Sequence, residues 1–144
     1  DPLWSRGLGD VYKRQDVEGT LFPTGPSVVA KELPANHPSK KVALDFVTAY
    51  ENKYKVDSVT QFAGDAWGAY LLLDDATGRA LKTGAKPGTP AFRVALREAL
   101  ENTRELVIPN GVMNMNAKDH VGFDQRSRVM GTIRNGKFSY AGDR

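Results

Sequence analysis

The segment RVMGTIRNGKFSY, residues 128–140, decides the fold class because it holds two short runs of strand-forming residues on either side of an Asn-Gly pair. Asn135-Gly136 favours a two-residue hairpin turn, since both positions of such a turn require positive φ angles. The spacing therefore predicts an antiparallel hairpin with strands over residues 128–134 and 137–140.

Three helices are predicted upstream of this hairpin. Residues 38–54 carry apolar side chains at steps of three and four, and Asn36 is placed to cap the first turn. Residues 61–81 have little polar face in their first half, so we expect this helix to be buried on most sides. Thr89 and Pro90 are predicted as the N-cap and the first residue of a third helix.

Residues 19–24, GTLFPT, are predicted to form a buried strand that ends at a turn, and residues 112–115 are predicted to form another strand. The order of strand, three helices and hairpin indicates an α/β unit. A lone buried strand needs neighbours. We therefore expect part of a parallel sheet flanked by helices, followed by a C-terminal β-hairpin.

Composition excludes several classes of protein. The chain has 144 residues, a net charge of +3 and no cysteine. Its charges are interspersed and form no basic patch, so we expect no nucleic-acid partner. His37 and His120 lie in no metal-ligand spacing, and no serine lies in a nucleophile elbow. We therefore expect no catalytic residues, no metal and no cofactor.

The first fifteen residues have a different origin. The stretch DVYKRQ, residues 10–15, reads back codon by codon into the end of a transposase-based sequencing adapter, and residues 1–9 fit the adapter upstream of it. We interpret residues 1–15 as a non-native tail that contributes nothing to the fold. We also expect the natural coding sequence before Asp16 to be missing, as in a metagenomic fragment.

Four stretches, taken in order, resemble one protein family: VEGTLFPTG (17–25), HPSKKVALDFVTAYENKYK (37–55), VTQFAGDAWGAYLLLDDA (59–76) and GVMNMNAKDHVGFDQRSRVMGTIRNGKF (111–138). This ordered set resembles the C-terminal third of the extracellular solute-binding proteins of ABC importers. The group it resembles is the leucine/isoleucine/valine-binding type, which has the type I periplasmic binding fold.

The resemblance implies a two-lobed receptor in the periplasm or outside the cell, either free or lipid-anchored. Such a receptor closes at its hinge on a small-molecule ligand, here a branched-chain amino acid or a related carboxylate, and delivers it to ABC permease membrane subunits. Residues 16–115 are expected to form the C-terminal part of the first lobe. Residues 116–144 are expected to form the last crossing between the lobes and the hairpin.

The candidate ligand-binding residues are Phe62, Gln61 and Asp65, at the start of the second helix. Helix N-termini face ligands in α/β folds, and their free N–H groups favour polar groups and anions. In the family that the chain resembles, an aromatic near the Phe62 position lines the apolar part of the pocket. The alternative is that Phe62 is core, Gln61 is solvated and Asp65 is a favourable first-turn charge. We interpret Trp67 and Tyr70 as core residues.

Two other functions stay open. One is a ligand sensor of the same fold that regulates transcription or signalling, which needs no signal peptide. The other is a small α/β enzyme of unknown reaction, which is disfavoured because the sequence shows no nucleophile–base pair and no metal cluster.

Overall fold

The structure, a computed structural model, describes residues 17–142, so the prediction for residues 1–15 lies outside the described chain. The elements follow in this order: β1 (Leu21–Thr24), a first 3-10 helix (Pro26–Val29), α1 (Lys40–Tyr54), α2 (Gln61–Leu81), α3 (Pro90–Glu101), β2 (Leu106–Ile108), β3 (Gly111–Met113), a second 3-10 helix (Gln125–Ser127), β4 (Val129–Arg134) and β5 (Lys137–Tyr140). Within residues 17–142, no helix combines the length and the apolar character needed to cross a membrane.

The predicted C-terminal hairpin is confirmed. Strands β4 and β5 pair up to Arg134 and Lys137, and the turn residues Asn135 and Gly136 have φ angles of +52° and +69°. β1 adds to the other side of β4, which gives a three-stranded antiparallel sheet in the order β1-β4-β5.

The strands correct two expectations. We predict a buried β1, but Leu21 is 45% exposed and only the last residue of the strand, Thr24, is buried. We also predict part of a parallel sheet, but every strand pair in the described residues is antiparallel. Two-residue turns join β2 to β3 and β4 to β5, and a turn of that length can join only antiparallel strands. The α/β class itself is confirmed.

A second hairpin joins β2 to β3. Ile108 pairs with Gly111, so the turn consists of Pro109 and Asn110. We predict one strand here, over residues 112–115, and the structure has two. The predicted strand corresponds to β3, which begins at Gly111, while β2 is an additional element.

Threonine caps explain where two of the helices begin. The hydroxyls of Thr60 and Thr89 each accept a hydrogen bond, at 3.2 Å, from the backbone N–H three residues further on. The predicted cap of the third helix is thereby confirmed. The start of α1 differs, because Ser39 and not Asn36 occupies the N-cap position. The buried Ser39 hydroxyl donates to the carbonyl oxygen of Gly111 at 3.1 Å, which ties α1 to β3.

Helix α2 buries its small residues and exposes its large ones. Its buried residues are all small and recur at steps of four or eight: Gly64, Gly68, Ala76 and Ala80. Its large exposed side chains are Phe62 (84%), Tyr70 (54%), Leu73 (50%), Leu81 (48%) and Trp67 (43%). The prediction that α2 is buried on most sides is therefore wrong for the described chain, and so is the prediction that Trp67 and Tyr70 are core residues.

The two glycines of α2 explain which face packs. A Cβ on Gly64 would lie 2.5 Å from Ser27 Oγ, and a Cβ on Gly68 would lie 2.7 Å from Ile108 Cδ1. A Cβ at position 64 would meet the buried Ser27 side chain, so glycine there lets α2 approach the first 3-10 helix, whereas at Gly68 the nearest atom is the movable end of the Ile108 side chain. The side of α2 that carries Gly64 and Gly68 therefore packs against the first 3-10 helix and β2.

The described core consists of three small clusters. The first packs α1 against its neighbours: Ala30, Ala43, Phe46, Val47 and Val59. The second joins the first 3-10 helix region to β4: Val29, Leu33 and Val129. The third covers the β2–β3 hairpin: Ile108, Met113 and Met115. Leu71 and Leu72, in the middle of α2, pack against this last cluster and so hold the β2–β3 hairpin to that helix.

Candidate functional site

A buried corner joins the start of α2 to the β2–β3 turn and the first 3-10 helix. Asn110, at its centre, is 3% exposed. Its Nδ2 donates to Asp65 Oδ1 at 2.6 Å and to the carbonyl oxygen of Gln61 at 3.1 Å. Its Oδ1 accepts the Ser27 N–H at 3.1 Å, and Gln61 Oε1 accepts the Gly25 N–H at 3.1 Å. These bonds fix the direction in which α2 begins.

This corner contains two of the three predicted ligand contacts. Gln61 Oε1 and Asp65 Oδ1 are hydrogen-bonded to protein groups there, although Gln61 itself is exposed. Phe62 lies between them in sequence but is 84% exposed, which rules out the core alternative within the described chain. Contact between these three residues and a ligand stays a prediction.

The Ser27 hydroxyl marks the tightest point of the corner. Ser27 is 1% exposed, and its Oγ has no hydrogen-bond partner within residues 17–142. Gly64 approaches so closely that a Cβ there would lie 2.5 Å from this oxygen. A buried hydroxyl without a partner costs stability. The corner is therefore a packed junction that positions α2, with no cavity between Ser27 and Gly64 for a ligand.

Asn110 is the residue of this site that sequence reasoning missed. A signal was present, because Asn110-Gly111 is the same dipeptide that identified the C-terminal hairpin. The dipeptide indicates a turn, but it does not reveal that the Asn side chain reaches Ser27, 83 positions earlier in the chain.

An open groove of about 960 Å³ lies between α1 and the β4–β5 hairpin. Its walls include Glu51 of α1, residues 57–59 just before α2, and residues 134–139 of the hairpin. None of the three predicted contact residues lines it. The structure therefore offers two candidate ligand surfaces, the start of α2 around Phe62 and this groove.

Arg126 holds the loop between β3 and β4. It donates to both oxygens of Glu105, at 2.7 and 2.9 Å, and to the carboxylate of Asp124. Hydrogen bonds from Arg126 and then Asn114 lower the pKa of Glu105 from 4.5 to about 2. Hydrogen bonds from Arg126 also lower the pKa of Asp124. Both carboxylates therefore stay charged to a lower pH than ordinary acidic side chains, and they hold the loop near the start of β2.

We expect acid to release this loop. Because the pKa of Glu105 is lower when folded, its stabilising effect is complete above about pH 4.5 and is lost as pH falls through about 2. An NMR titration of the Glu105 carboxyl carbon should show a midpoint near 2. Arg126→Gln should move that midpoint back toward 4.5. An unmodified chain that already titrates near 4.5 would show that the pair does not form in solution.

Asp119, in the loop between β3 and β4, uses its carboxylate to accept hydrogen bonds from the backbone. Its Oδ1 accepts the N–H groups of Val121 and Gly122 at 3.0 and 3.2 Å, which closes a tight turn. Among residues 17–142, no three His, Asp or Glu side chains are grouped as a metal site would require.

Comparisons with known proteins find similar solved structures. No family model matches the chain, and no curated protein matches it significantly. An extracellular ligand-binding receptor from Rhodopseudomonas palustris HaA2 is 38% identical, with a TM-score of 0.81 over 89% of this chain and 36% of its own. Another from R. palustris is 37% identical, with a TM-score of 0.81 over 89% and 35% of the two chains. A further receptor from strain HaA2 is 38% identical, with a TM-score of 0.75 over 88% and 35%.

The chain is thus similar, in fold and in sequence, to part of these extracellular ligand-binding receptors. It spans just over a third of the length of these receptors, at 35–36%.

Proposed function

We propose that this chain is part of the substrate-binding component of an ABC importer, in the periplasm or outside the cell, and that its receptor binds a branched-chain amino acid or a similar small carboxylate. The observation that carries the proposal is the match to an extracellular ligand-binding receptor at 38% identity and a TM-score of 0.81. A shared fold alone does not define a function, and the sequence identity across 89% of the chain adds the stronger support.

The proposed mechanism is closure about the β1–β4 pair. β1 is followed by residues 25–39, which lead into helices α1, α2 and α3. Residues 114–128 lead from β3 to β4. The two strands lie side by side over four residue pairs. Hinges absorb their motion at a few residues at the ends of elements. A ligand that contacts both lobes binds the closed form more tightly and shifts the population toward it.

In this proposal the start of α2 faces the ligand. Phe62 contributes apolar contact from its exposed ring. The helix N-terminus favours a carboxylate, and the Asp65 carboxylate suits an ammonium group, so an amino acid offers a partner for each. Asn110 positions the helix N-terminus and the Asp65 carboxylate, because its side-chain amide donates to the carbonyl oxygen of Gln61 and to Asp65 Oδ1.

A chimeric receptor tests the function. Residues 17–142 replace the matching third of the HaA2 receptor that has the TM-score of 0.81. Calorimetry then measures binding of leucine, isoleucine, valine, phenylalanine and benzoate. We expect micromolar or tighter binding of at least one small carboxylate by the chimera. We expect none by the 144-residue chain alone, because closure needs two lobes. A folded chimera that binds none, while its parent receptor binds one, would reject the proposal. Micromolar binding by the chain alone would move the site elsewhere.

A further inference from the structure

The chain contains two Asn-Gly pairs, Asn110-Gly111 and Asn135-Gly136, and the fold puts them in opposite surroundings. We propose that Asn135 is a site of spontaneous deamidation in the folded chain, whereas Asn110 is protected. The modified chain carries aspartate or isoaspartate in the turn of the β4–β5 hairpin. The inference concerns this turn and does not depend on the proposed function.

Deamidation at an Asn-Gly pair needs no enzyme, and water is its only co-reactant. The backbone nitrogen of Gly136 loses its proton to base and attacks Cγ of Asn135, so that an N–Cγ bond forms and a succinimide ring closes. The Cγ–Nδ2 bond breaks, and Nδ2 takes up a proton and leaves as ammonia. Water then opens the ring at either carbonyl carbon, which gives aspartate or isoaspartate. Glycine favours the ring closure because it has no Cβ to obstruct the attack.

The β4–β5 turn leaves room for this reaction. Asn135 is exposed, and a Cβ built on Gly136 would have no atom within 4 Å apart from its chain neighbours. The strand pairing ends at Arg134 and Lys137, so both reacting residues lie outside the ladder of paired residues. Solvent therefore reaches the reacting atoms, and the Asn135 side chain has space to rotate toward the Gly136 nitrogen.

The other Asn-Gly pair is held in the buried corner. Asn110 is 3% exposed, its Nδ2 donates to Asp65 and its Oδ1 accepts the Ser27 N–H. Gly111 is also buried, and a Cβ there would lie 2.6 Å from the Cβ of Ser127. Before Asn110 can react, its amide must leave these partners and rotate, and water must reach it. Deamidation at Asn110 therefore requires a local opening of the corner.

Glu18 links the modification to the stability of the hairpin. Its Oε1 accepts the Asn135 N–H at 2.8 Å, and its Oε2 accepts the Gly136 N–H at 3.3 Å. Deamidation adds a second carboxylate to this turn, and like charges that lie close together repel each other. Isoaspartate also adds a carbon atom to the backbone of the turn that sets the register of β4 with β5. We therefore expect the modified chain to be less stable.

Peptide mass spectrometry compares the two pairs in one sample. The 144-residue chain is incubated at mildly alkaline pH, in buffer and in guanidinium chloride, and digested at intervals. In buffer we expect Asn135 to convert at least about tenfold faster than Asn110, because Asn110 reacts only when the corner opens. In guanidinium chloride we expect similar rates, because the fold and not the dipeptide protects Asn110.

Asn135→Asp tests the role of Glu18. The substitution places the charge of the product in the turn without changing the backbone, so it should lower the urea midpoint of unfolding. In a Glu18→Gln chain the same substitution should lower the midpoint less, because the opposing carboxylate is gone. A shift that Glu18→Gln leaves unaltered would reject the link between the modification and Glu18.

Two results would overturn the modification site itself. The first is conversion of Asn110 in buffer as fast as that of Asn135, in a chain whose circular dichroism shows that it is folded. The second is an Asn135 that stays an amide in buffer over the time in which it converts in guanidinium chloride, because the folded turn then protects it too.

Discussion

Replacing Asn110 by alanine should lower the free energy of unfolding by about 2–3 kcal/mol, because it leaves buried groups without hydrogen-bond partners. The Ser27 N–H loses its acceptor, and Asp65 loses the amide donor that lies 2.6 Å from its carboxylate. Urea unfolding of the 144-residue chain, followed by circular dichroism, measures the change.

Asn116→Ala is the matched control for this substitution. Asn116 is exposed, and its Oδ1 accepts the N–H groups of Lys118 and Asp119 at 2.9 and 3.0 Å. Because water can replace these bonds, we expect a loss below about 1 kcal/mol. Equal losses at Asn110 and Asn116 would contradict the buried corner.

Phe62→Ala should weaken ligand binding by the chimeric receptor about tenfold or more, since burying an aromatic side chain against a ligand contributes roughly 1.5–3 kcal/mol. The free energy of unfolding should change by less than about 0.5 kcal/mol, because the ring packs little in the described chain. Calorimetry with the tightest-binding carboxylate measures the affinity, and urea unfolding measures the stability.

Leu81→Ala, at the other end of α2, is the control for Phe62. Leu81 is 48% exposed and lies five turns from the candidate contact, so its substitution should leave affinity unchanged. A folded Phe62→Ala receptor with unaltered affinity would remove Phe62 from the site and direct attention to the groove between α1 and the hairpin.

The extent of α2 was predictable, but the face it buries was not. An apolar run places this helix over residues 61–81, and the structure adds the Thr60 cap that begins it. That pattern predicts Trp67 and Tyr70 to be core residues, because large apolar side chains at helical spacing are usually buried. The structure instead buries Gly64 and its small neighbours, because close approach to Ser27 is possible only without a side chain. One sequence does not show which neighbour comes that close.

In the sheet, too, the features set by neighbouring residues were predictable and the long-range strand pairing was not. Asn135-Gly136 specifies its hairpin locally, through the φ angles that these two residues accept. The pairing of Leu21 with Thr132 joins distant parts of the chain, and the sequence around β1 gives no indication of its partner or direction. For the same reason the corner around Asn110 was missed, although the residues predicted at the start of α2 do lie in it.

The distance between β1 and β4 also affects how the chain is made. β1 is an edge strand, and its partner follows about a hundred residues later. At a synthesis rate of about 5–20 residues per second, β1 leaves the ribosome several seconds before β4 exists. During that interval an unpaired strand can join the wrong chain, and Pro23, in the middle of β1, removes one of the donors that such mispairing needs. Pro23 therefore reduces the number of backbone hydrogen bonds that β1 can offer to a foreign strand before β4 is available.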